Sequence, residues 1–218
     1  MSKKPSIYLI GGAPRTGKTT LATMLAQKLS IPLTSTDTLR GQLRQTIPAT
    51  VEPDLYYLDS LNADEADMAR LMREQTAEII AAADRESSVV WRAVDALVRE
   101  NIKTGQSIVI EGVAVLPALV ARLEGIPHVV HLGNQSHDHT KIVLKDARTH
   151  PDTWLGSLKL DTLEAFALFC QSTSTHIERE AHKYHQTYLE MSSQPFEQSL
   201  QLALNSLQPP GLSATSGL

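Results

Sequence analysis

Short apolar runs alternate along the chain with longer amphipathic stretches. Five runs favour β-strands: 6–10, 31–35, 107–110, 126–132 and, more weakly, 187–191. Between them apolar residues recur at helical spacing, as Leu21, Leu25 and Leu29 do after the first run. Short strands that alternate with helices predict a parallel sheet covered by helices on both faces.

The stretch between the second and third strands is predicted to be mainly helical. Asn62 with Glu65 three residues later resembles a capping box and marks a helix start. The buried face of this helix would come from five apolar residues, Met68, Leu71, Met72, Ile79 and Ile80. A separate helix is predicted over 87–101, and Gly105 fits its end before the third strand.

Two more helices are predicted in the last third of the chain, over 162–184 and 196–207. Ser193 is the predicted N-cap of the final helix, with Pro195 in its first turn. Residues 1–208 are therefore expected to form one domain, and the polar stretch 209–218 a flexible tail.

Composition and charge narrow the class of protein. Of the 218 residues, 42% are apolar and 20% are charged, which is ordinary for one globular domain. Cys170 is the only cysteine, so an intrachain disulfide and a cysteine-rich metal site are excluded. The formal net charge of −4 gives no global attraction for nucleic acid or an anionic membrane. No apolar run reaches the ~18 residues of a membrane helix, so a soluble cytoplasmic protein is predicted.

One motif dominates the chemistry that the sequence offers. Residues 12–19 read GAPRTGKT and match the GxxxxGK[ST] pattern of a phosphate-binding loop, with an apolar strand before it and an amphipathic helix after it. Glycines let successive backbone N–H groups face phosphate oxygens, and the helix adds the positive end of its dipole. Lys18 is expected to reach the β- and γ-phosphates of ATP, and the Thr19 hydroxyl to bind Mg²⁺. The predicted nucleotide-binding residues are Gly12, Ala13, Pro14, Arg15, Thr16, Gly17, Lys18, Thr19 and Thr20.

Two acidic residues are predicted at the carboxyl edge of the sheet, beside that loop. Glu111 closes the third strand and would hold a water on Mg²⁺ or orient a phosphoryl acceptor, unless it only caps the next backbone turn. Asp37 follows the second strand and is a candidate general base for an acceptor hydroxyl. Capping of a helix that begins at Thr38 is its alternative role, and the two roles are compatible. Arg40, one turn later, would clamp an acidic acceptor.

Three sequence blocks, GGAPRTGKTTLA, IPLTSTDTLR and SIVIEGVAVLP, together resemble the small-molecule kinases of the P-loop class. They are most similar to the 2-phosphoglycerate kinase group. The placement of Asp37 also resembles that of the proposed base in chloramphenicol phosphotransferase and zeta-toxin kinases.

This resemblance implies a nucleoside-monophosphate-kinase-like fold, with a five-stranded parallel core, a helical acceptor lobe at about 38–104 and a mobile lid at about 133–158. It also implies transfer of the γ-phosphoryl group from ATP, with Mg²⁺, to a hydroxyl of a small, anionic, 2-phosphoglycerate-like acceptor. A toxin-like or antibiotic-modifying kinase is an alternative. A nucleotide-binding regulator without transfer is another.

Basic residues follow the fourth strand in the predicted lid. A helix that ends at about Thr149 would place Lys141, Lys145 and Arg148 on one face. Cations that close on the transferred phosphoryl group would stabilise its charge, and Arg148 is the predicted catalytic residue of the lid. The alternative is the solvated face of a surface helix.

Overall fold

The centre of the molecule is a five-stranded parallel sheet in the computed structural model, which describes residues 5–60, 64–123, 125 and 128–207. The strands are β1 (Ile7–Gly12), β2 (Leu33–Ser35), β3 (Ile108–Glu111), β4 (His128–Gly133) and β5 (Tyr188–Glu190). They are hydrogen-bonded in the order β2-β3-β1-β4-β5, and every pairing is parallel. The predicted sheet is confirmed, although strand ends differ by one or two residues; positions 126 and 127 of the predicted fourth strand lie outside the described residues.

Helices cover both faces of this sheet. In chain order they are α1 (Lys18–Leu29), α2 (Thr36–Thr46), α3 (Tyr57–Ser60), α4 (Glu65–Glu74), α5 (Thr76–Thr104), α6 (Pro117–Val120), α7 (His139–Thr149), α8 (Leu160–Lys183) and α9 (Phe196–Ser206). Short 3-10 turns lie at Pro53–Tyr56 and Leu155–Ser157. The helix after β4 ends at Thr149, as the sequence predicts.

The two faces of the sheet carry separate apolar cores, because strand side chains alternate between faces. Tyr8 and Ile10 of β1 belong to one core, with side chains of α1 and α9. Ile7 and Leu9 belong to the other, with side chains of α5 and α8. Burial on both faces explains the near-continuous apolar strands and leaves the loops at the carboxyl edge to carry chemistry.

The helices between β2 and β3 differ from the prediction at two points. The predicted separate helix over 87–101 is wrong, because this segment is part of the continuous helix α5 (Thr76–Thr104). The apolar residues from Met68 to Ile80 are predicted to share one helix, but the helix is interrupted at Gln75, where φ is −128° and ψ is 37°. α5 then continues for 29 residues, since it contains no glycine or proline. Asp64 caps α4 by accepting a hydrogen bond from the Asp67 N–H at 2.8 Å. Asn62 of the predicted capping box lies outside the described residues.

The start of α9 also differs from the prediction. Pro195 is its N-cap, and Ser193 instead donates its hydroxyl to the Glu190 carbonyl at 2.8 Å. Residues 208–218, which include the predicted tail, lie outside the described residues. Across the described part of the chain, no helix combines the length and apolar character needed to cross a membrane.

Candidate active site

The phosphate-binding motif forms a tight loop between β1 and α1. Gly12 and Gly17 have positive φ angles of 129° and 91°, a region that residues with side chains rarely adopt. A side chain at Gly12 would also clash, since its Cβ atom would lie 2.0 Å from the Leu132 carbonyl oxygen. α1 begins at Lys18, and no side chain caps its first turn. Its first N–H groups are therefore available to an anion held by the loop.

Lys18 is the buried cation of this loop. It is 8% exposed, and its Nζ atom donates a hydrogen bond to the Ala13 carbonyl at 2.6 Å. Burial lowers the pKa of Lys18 to about 8, although the carboxylates of Glu111 and Asp37 act to raise it. An anionic phosphate would stabilise this ammonium group, so the loop fits the phosphates of a nucleoside triphosphate.

Glu111 ends β3 beside the strand that carries the loop. In the sheet register it pairs with Ile10 of β1 and with Ser35 of β2. Its side chain is buried; burial raises its pKa, while Lys18 and the hydroxyls of Ser35 and Thr19 lower it. These neighbours place the Glu111 carboxylate next to the phosphate-binding loop.

Asp37 lies in the first turn of α2 and lines the same cavity as the loop. Its predicted capping role is wrong, because α2 begins at Thr36 and is capped by Ser35, whose hydroxyl accepts a hydrogen bond from the Asp37 N–H at 3.1 Å. The exposed carboxylate of Asp37 is therefore left for another function, and it is near enough to Lys18 to influence its pKa.

The glycine that follows β3 packs closely against the first residue of α2. Gly112 has a φ of 138°, and a Cβ atom there would lie 2.0 Å from the Thr36 hydroxyl oxygen. Thr36 is buried. This close contact brings Glu111, which precedes Gly112, and Asp37, which follows Thr36, to the same edge of the sheet.

Two arginines of α2, Arg40 and Arg44, line the same cavity. Arg40 lies 3.8 Å from Asp37 and 3.7 Å from Glu86, distances that exceed those of a hydrogen bond. Arg44 is bound more tightly, at 2.7 Å from Glu86 and 2.9 Å from Asp59. The sequence identified Arg40 but missed Arg44, although its position four residues later on the same helix predicts a shared face.

Of the three basic residues that the sequence placed on one face of the lid helix, one lines the cavity. Lys145 lines the cavity, whereas Arg148 and Lys141 do not. Lys141 instead pairs with Asp138 at 2.6 Å. Within the described residues, Lys145 and Arg148 form no ion pair. The cavity-facing positions of α7 include 142, 145, 146 and 149, a spacing of one helix face that the basic residues alone did not reveal.

One cavity of about 1360 Å³ is lined by Lys18, Asp37, Arg40, Arg44, Glu111 and Lys145. It includes an apolar wall that the sequence reasoning did not assign to the site, formed by Met68, Met72, Ile79, Trp154, Phe166 and Phe169. Three of these residues, Met68, Met72 and Ile79, have a helical periodicity that indicates only core burial. Their position at the site depends on tertiary packing of α4 and α5 against α8.

The oxygen atoms beside the loop suit Mg²⁺. The Thr19 hydroxyl and the Glu111 carboxylate are neighbours, and oxygen ligands are those that Mg²⁺ prefers. Among the residues that the structure describes, no three His, Cys, Asp or Glu side chains come together to form a metal cage. One or two protein oxygens together with substrate phosphates are the usual magnesium environment in phosphoryl transfer.

The sheet order, the phosphate-binding loop after β1 and the helix that follows it define the α/β fold of the P-loop class of nucleotide-binding proteins. No family model matches the chain. It is similar in sequence to the 2-phosphoglycerate kinase of Methanocaldococcus jannaschii, with 31% identity over 121 residues, which is 55% of this chain and 38% of that protein. It is also 32% identical over 125 residues to the 2-phosphoglycerate kinase of Pyrococcus horikoshii, covering 56% of this chain and 40% of that one. The resemblance to this group of kinases is confirmed, although the chain spans only about two fifths of the length of these relatives.

Several solved structures align with most of the chain, among them a gluconokinase and a shikimate kinase. A gluconokinase from Sinorhizobium meliloti 1021 aligns with a TM-score of 0.47 and 14% identity, over 94% of this chain and 91% of that one. A shikimate kinase from Acinetobacter baumannii aligns with a TM-score of 0.42 and 15% identity, over 95% and 93% of the two chains.

Proposed function

We propose that this chain is an ATP-dependent phosphotransferase that moves the γ-phosphoryl group to a hydroxyl of a small metabolite with an anionic group. The observation that carries the proposal is the phosphate-binding loop whose buried Lys18 is influenced by two carboxylates, Glu111 and Asp37. Asp37 is exposed, lines the cavity and caps no helix, which suits a base that must meet an acceptor hydroxyl.

Each residue has a defined part in this reaction. Residues 12–20 bind the triphosphate, and Lys18 neutralises charge on the transferred group. Asp37 accepts the proton of the acceptor hydroxyl as its oxygen attacks the γ-phosphorus. Arg40 binds the anionic group of the acceptor. Mg²⁺, held by the Thr19 hydroxyl with Glu111 nearby, would supply further charge neutralisation when bound.

Lys145 is the proposed cation of α7. Its ammonium group is free of ion pairs within the described residues and faces the cavity, where it would stabilise charge on the γ-phosphoryl oxygens. Arg148, the lid residue that the sequence favoured, is exposed outside the cavity lining, so a direct role for it would require α7 to rotate.

The named activity of the relatives supports phosphotransfer and makes 2-phosphoglycerate the first acceptor to test. A coupled assay of ADP release should be run with 2-phosphoglycerate, glycerate, simple sugars and aromatic alcohols. Acceleration by one acceptor supports the proposal. ATP binding without acceleration by any acceptor would favour a nucleotide-binding regulator instead.

Binding of ATP itself should be measured by calorimetry for the wild type and for Lys18→Ala. Loss of the ammonium group should abolish turnover and weaken ATP binding strongly. Lys28→Ala, which removes an exposed lysine from the last turn of the same helix, is the matched control and should retain wild-type affinity.

A further inference from the structure

One wall of the cavity is apolar and partly aromatic. Its members are Met68, Met72, Ile79, Trp154, Phe166 and Phe169. All of them except Trp154 are 9% exposed or less, whereas Trp154 is 53% exposed. The Trp154 ring meets the Phe166 ring edge-on, with centroids 5.5 Å apart. An exposed indole held against a buried ring is a surface that an aromatic ligand would cover.

The charged groups on the acceptor side are nearly balanced. Arg40 and Arg44 are accompanied there by three carboxylates, those of Asp37, Asp59 and Glu86. Arg44 is fully engaged, since it pairs with Asp59 and Glu86 and also donates from Nε to a backbone carbonyl at 2.9 Å. Among the residues that the structure describes, Arg40 makes only the longer contacts of 3.7 and 3.8 Å, so its donors are open to a ligand. One open guanidinium matches one anionic group on the acceptor.

An acceptor such as 2-phosphoglycerate uses these features poorly. It carries both a phosphate and a carboxylate, so it calls for more than one cation on the acceptor side, and it has no apolar part to cover the wall. A ligand that leaves the wall facing water gains no binding free energy from it. A ring that is buried on the wall stabilises the complex through the apolar area removed from water.

We infer that the acceptor is an alcohol with an aromatic or similarly flat apolar group and a single anionic group. Its ring lies on the wall that includes Trp154 and Phe166, its anionic group on Arg40, and its hydroxyl at Asp37. The inference rests on the proposed phosphotransfer. In that reaction the hydroxyl oxygen forms a bond to the γ-phosphorus, the bond from that phosphorus to the β–γ bridging oxygen breaks, Asp37 takes the hydroxyl proton, and ADP leaves.

A pair of probes isolates the contribution of the ring. Lactate and 3-phenyllactate share a hydroxyl and one carboxylate and differ by a phenyl group. Calorimetry should be performed with the full chain saturated by Mg²⁺ and a non-hydrolysable ATP analogue. We expect 3-phenyllactate to bind about tenfold or more tightly than lactate, because the phenyl ring is buried on the wall. It should also bind more tightly than 2-phosphoglycerate.

Substitution of the exposed tryptophan tests the location of the ring. Trp154→Ala should weaken binding of 3-phenyllactate about fivefold or more and leave that of lactate unchanged. Leu168→Ala, an exposed residue of α8 outside the cavity, should change neither affinity. Trp154 is a surface residue, so both variants should fold, which circular dichroism can verify.

The outcomes separate this inference from the proposed function. No binding of the ATP analogue would contradict the phosphotransferase proposal itself. Binding of the analogue together with no saturable binding of 3-phenyllactate, or with equal affinities for the two lactates, overturns only the inferred acceptor class. Tighter binding of 2-phosphoglycerate, insensitive to Trp154→Ala, would likewise overturn it and would support the phosphoglycerate assignment.

Discussion

The Arg15 guanidinium lies 2.7 Å from the Asp146 carboxylate and so joins the phosphate-binding loop to α7. Asp146 also lies 3.0 Å from the Nδ1 atom of His150 on the next turn. Both partners of the ion pair line the cavity, and both are partly exposed. Phosphate oxygens bound on the loop would compete with Asp146 for this guanidinium.

Removal of this competition should increase the affinity for ATP. We expect Asp146→Asn to bind ATP about two- to fivefold more tightly, the range that corresponds to a partly exposed ion pair. Asp152→Asn makes the same change of net charge just after α7, outside the cavity lining, and should leave the affinity unchanged. Equal effects of the two variants in a calorimetric titration would show that net charge, and not the ion pair, is responsible.

The two basic residues of α7 should differ in their effect on turnover. Lys145→Ala removes the cation that lines the cavity and should lower kcat by about 10²-fold, the scale for loss of one stabilising group. Arg148→Ala should stay within about twofold of the wild type, as surface substitutions usually do. Steady-state kinetics with a saturating acceptor would measure both. A larger loss of kcat for Arg148→Ala than for Lys145→Ala would instead support Arg148 as the catalytic residue of α7.

Gly112 should be intolerant of any side chain. Gly112→Ala combines a positive φ with a clash against Thr36, while Gly105→Ala meets the same backbone restriction in open space. We expect Gly105→Ala to cost about 1 kcal/mol of unfolding free energy. Gly112→Ala should cost about 1–3 kcal/mol more, since the clash must be relieved by movement of the backbone or of Thr36. Urea unfolding of both variants would test this, and equal losses would mean that the contact is easily relaxed.

Acid should destabilise the fold through a buried histidine. Burial lowers the pKa of His131 to about 4, from 6.5 in an exposed chain. Between these two values the unfolded state binds more protons than the folded state, so stability is complete above pH 6.5 and falls as the pH approaches 4. The full pKa shift corresponds to a loss of unfolding free energy on the order of 3 kcal/mol.

The test is the pH dependence of urea unfolding between pH 7 and 4. His131→Gln should show a shallower decline than the wild type. His137→Gln, which alters an exposed histidine, should follow the wild-type curve. Identical slopes for all three proteins would remove His131 as the cause.

Much of the fold could be predicted because its signals are local. An apolar strand, the GAPRTGKT loop and an amphipathic helix follow one another directly, and Glu111 and Asp37 each follow an apolar strand. In a parallel sheet such positions converge on one edge, so the residues near Lys18 could be named from the sequence.

The remaining features depend on contacts that a local pattern does not contain. The break at Gln75 has neither proline nor glycine to mark it. Lys145 and Arg148 are equally basic, and only the rotation of α7 about its axis decides which of them lines the cavity. The aromatic wall requires α4 and α8 to meet, although Met72 and Phe166 are far apart in sequence.

The most direct test of the account compares ATP binding and phosphoryl transfer in Asp37→Asn. With the acceptor found by the screen, ATP affinity should remain close to that of the wild type, while transfer should fall roughly 10²-fold or more because the hydroxyl loses its base. Asp54→Asn, the same change outside the cavity, should affect neither quantity. Full transfer by Asp37→Asn would contradict the assigned base, and parallel loss of ATP binding and transfer would show that Asp37 serves the nucleotide rather than the acceptor.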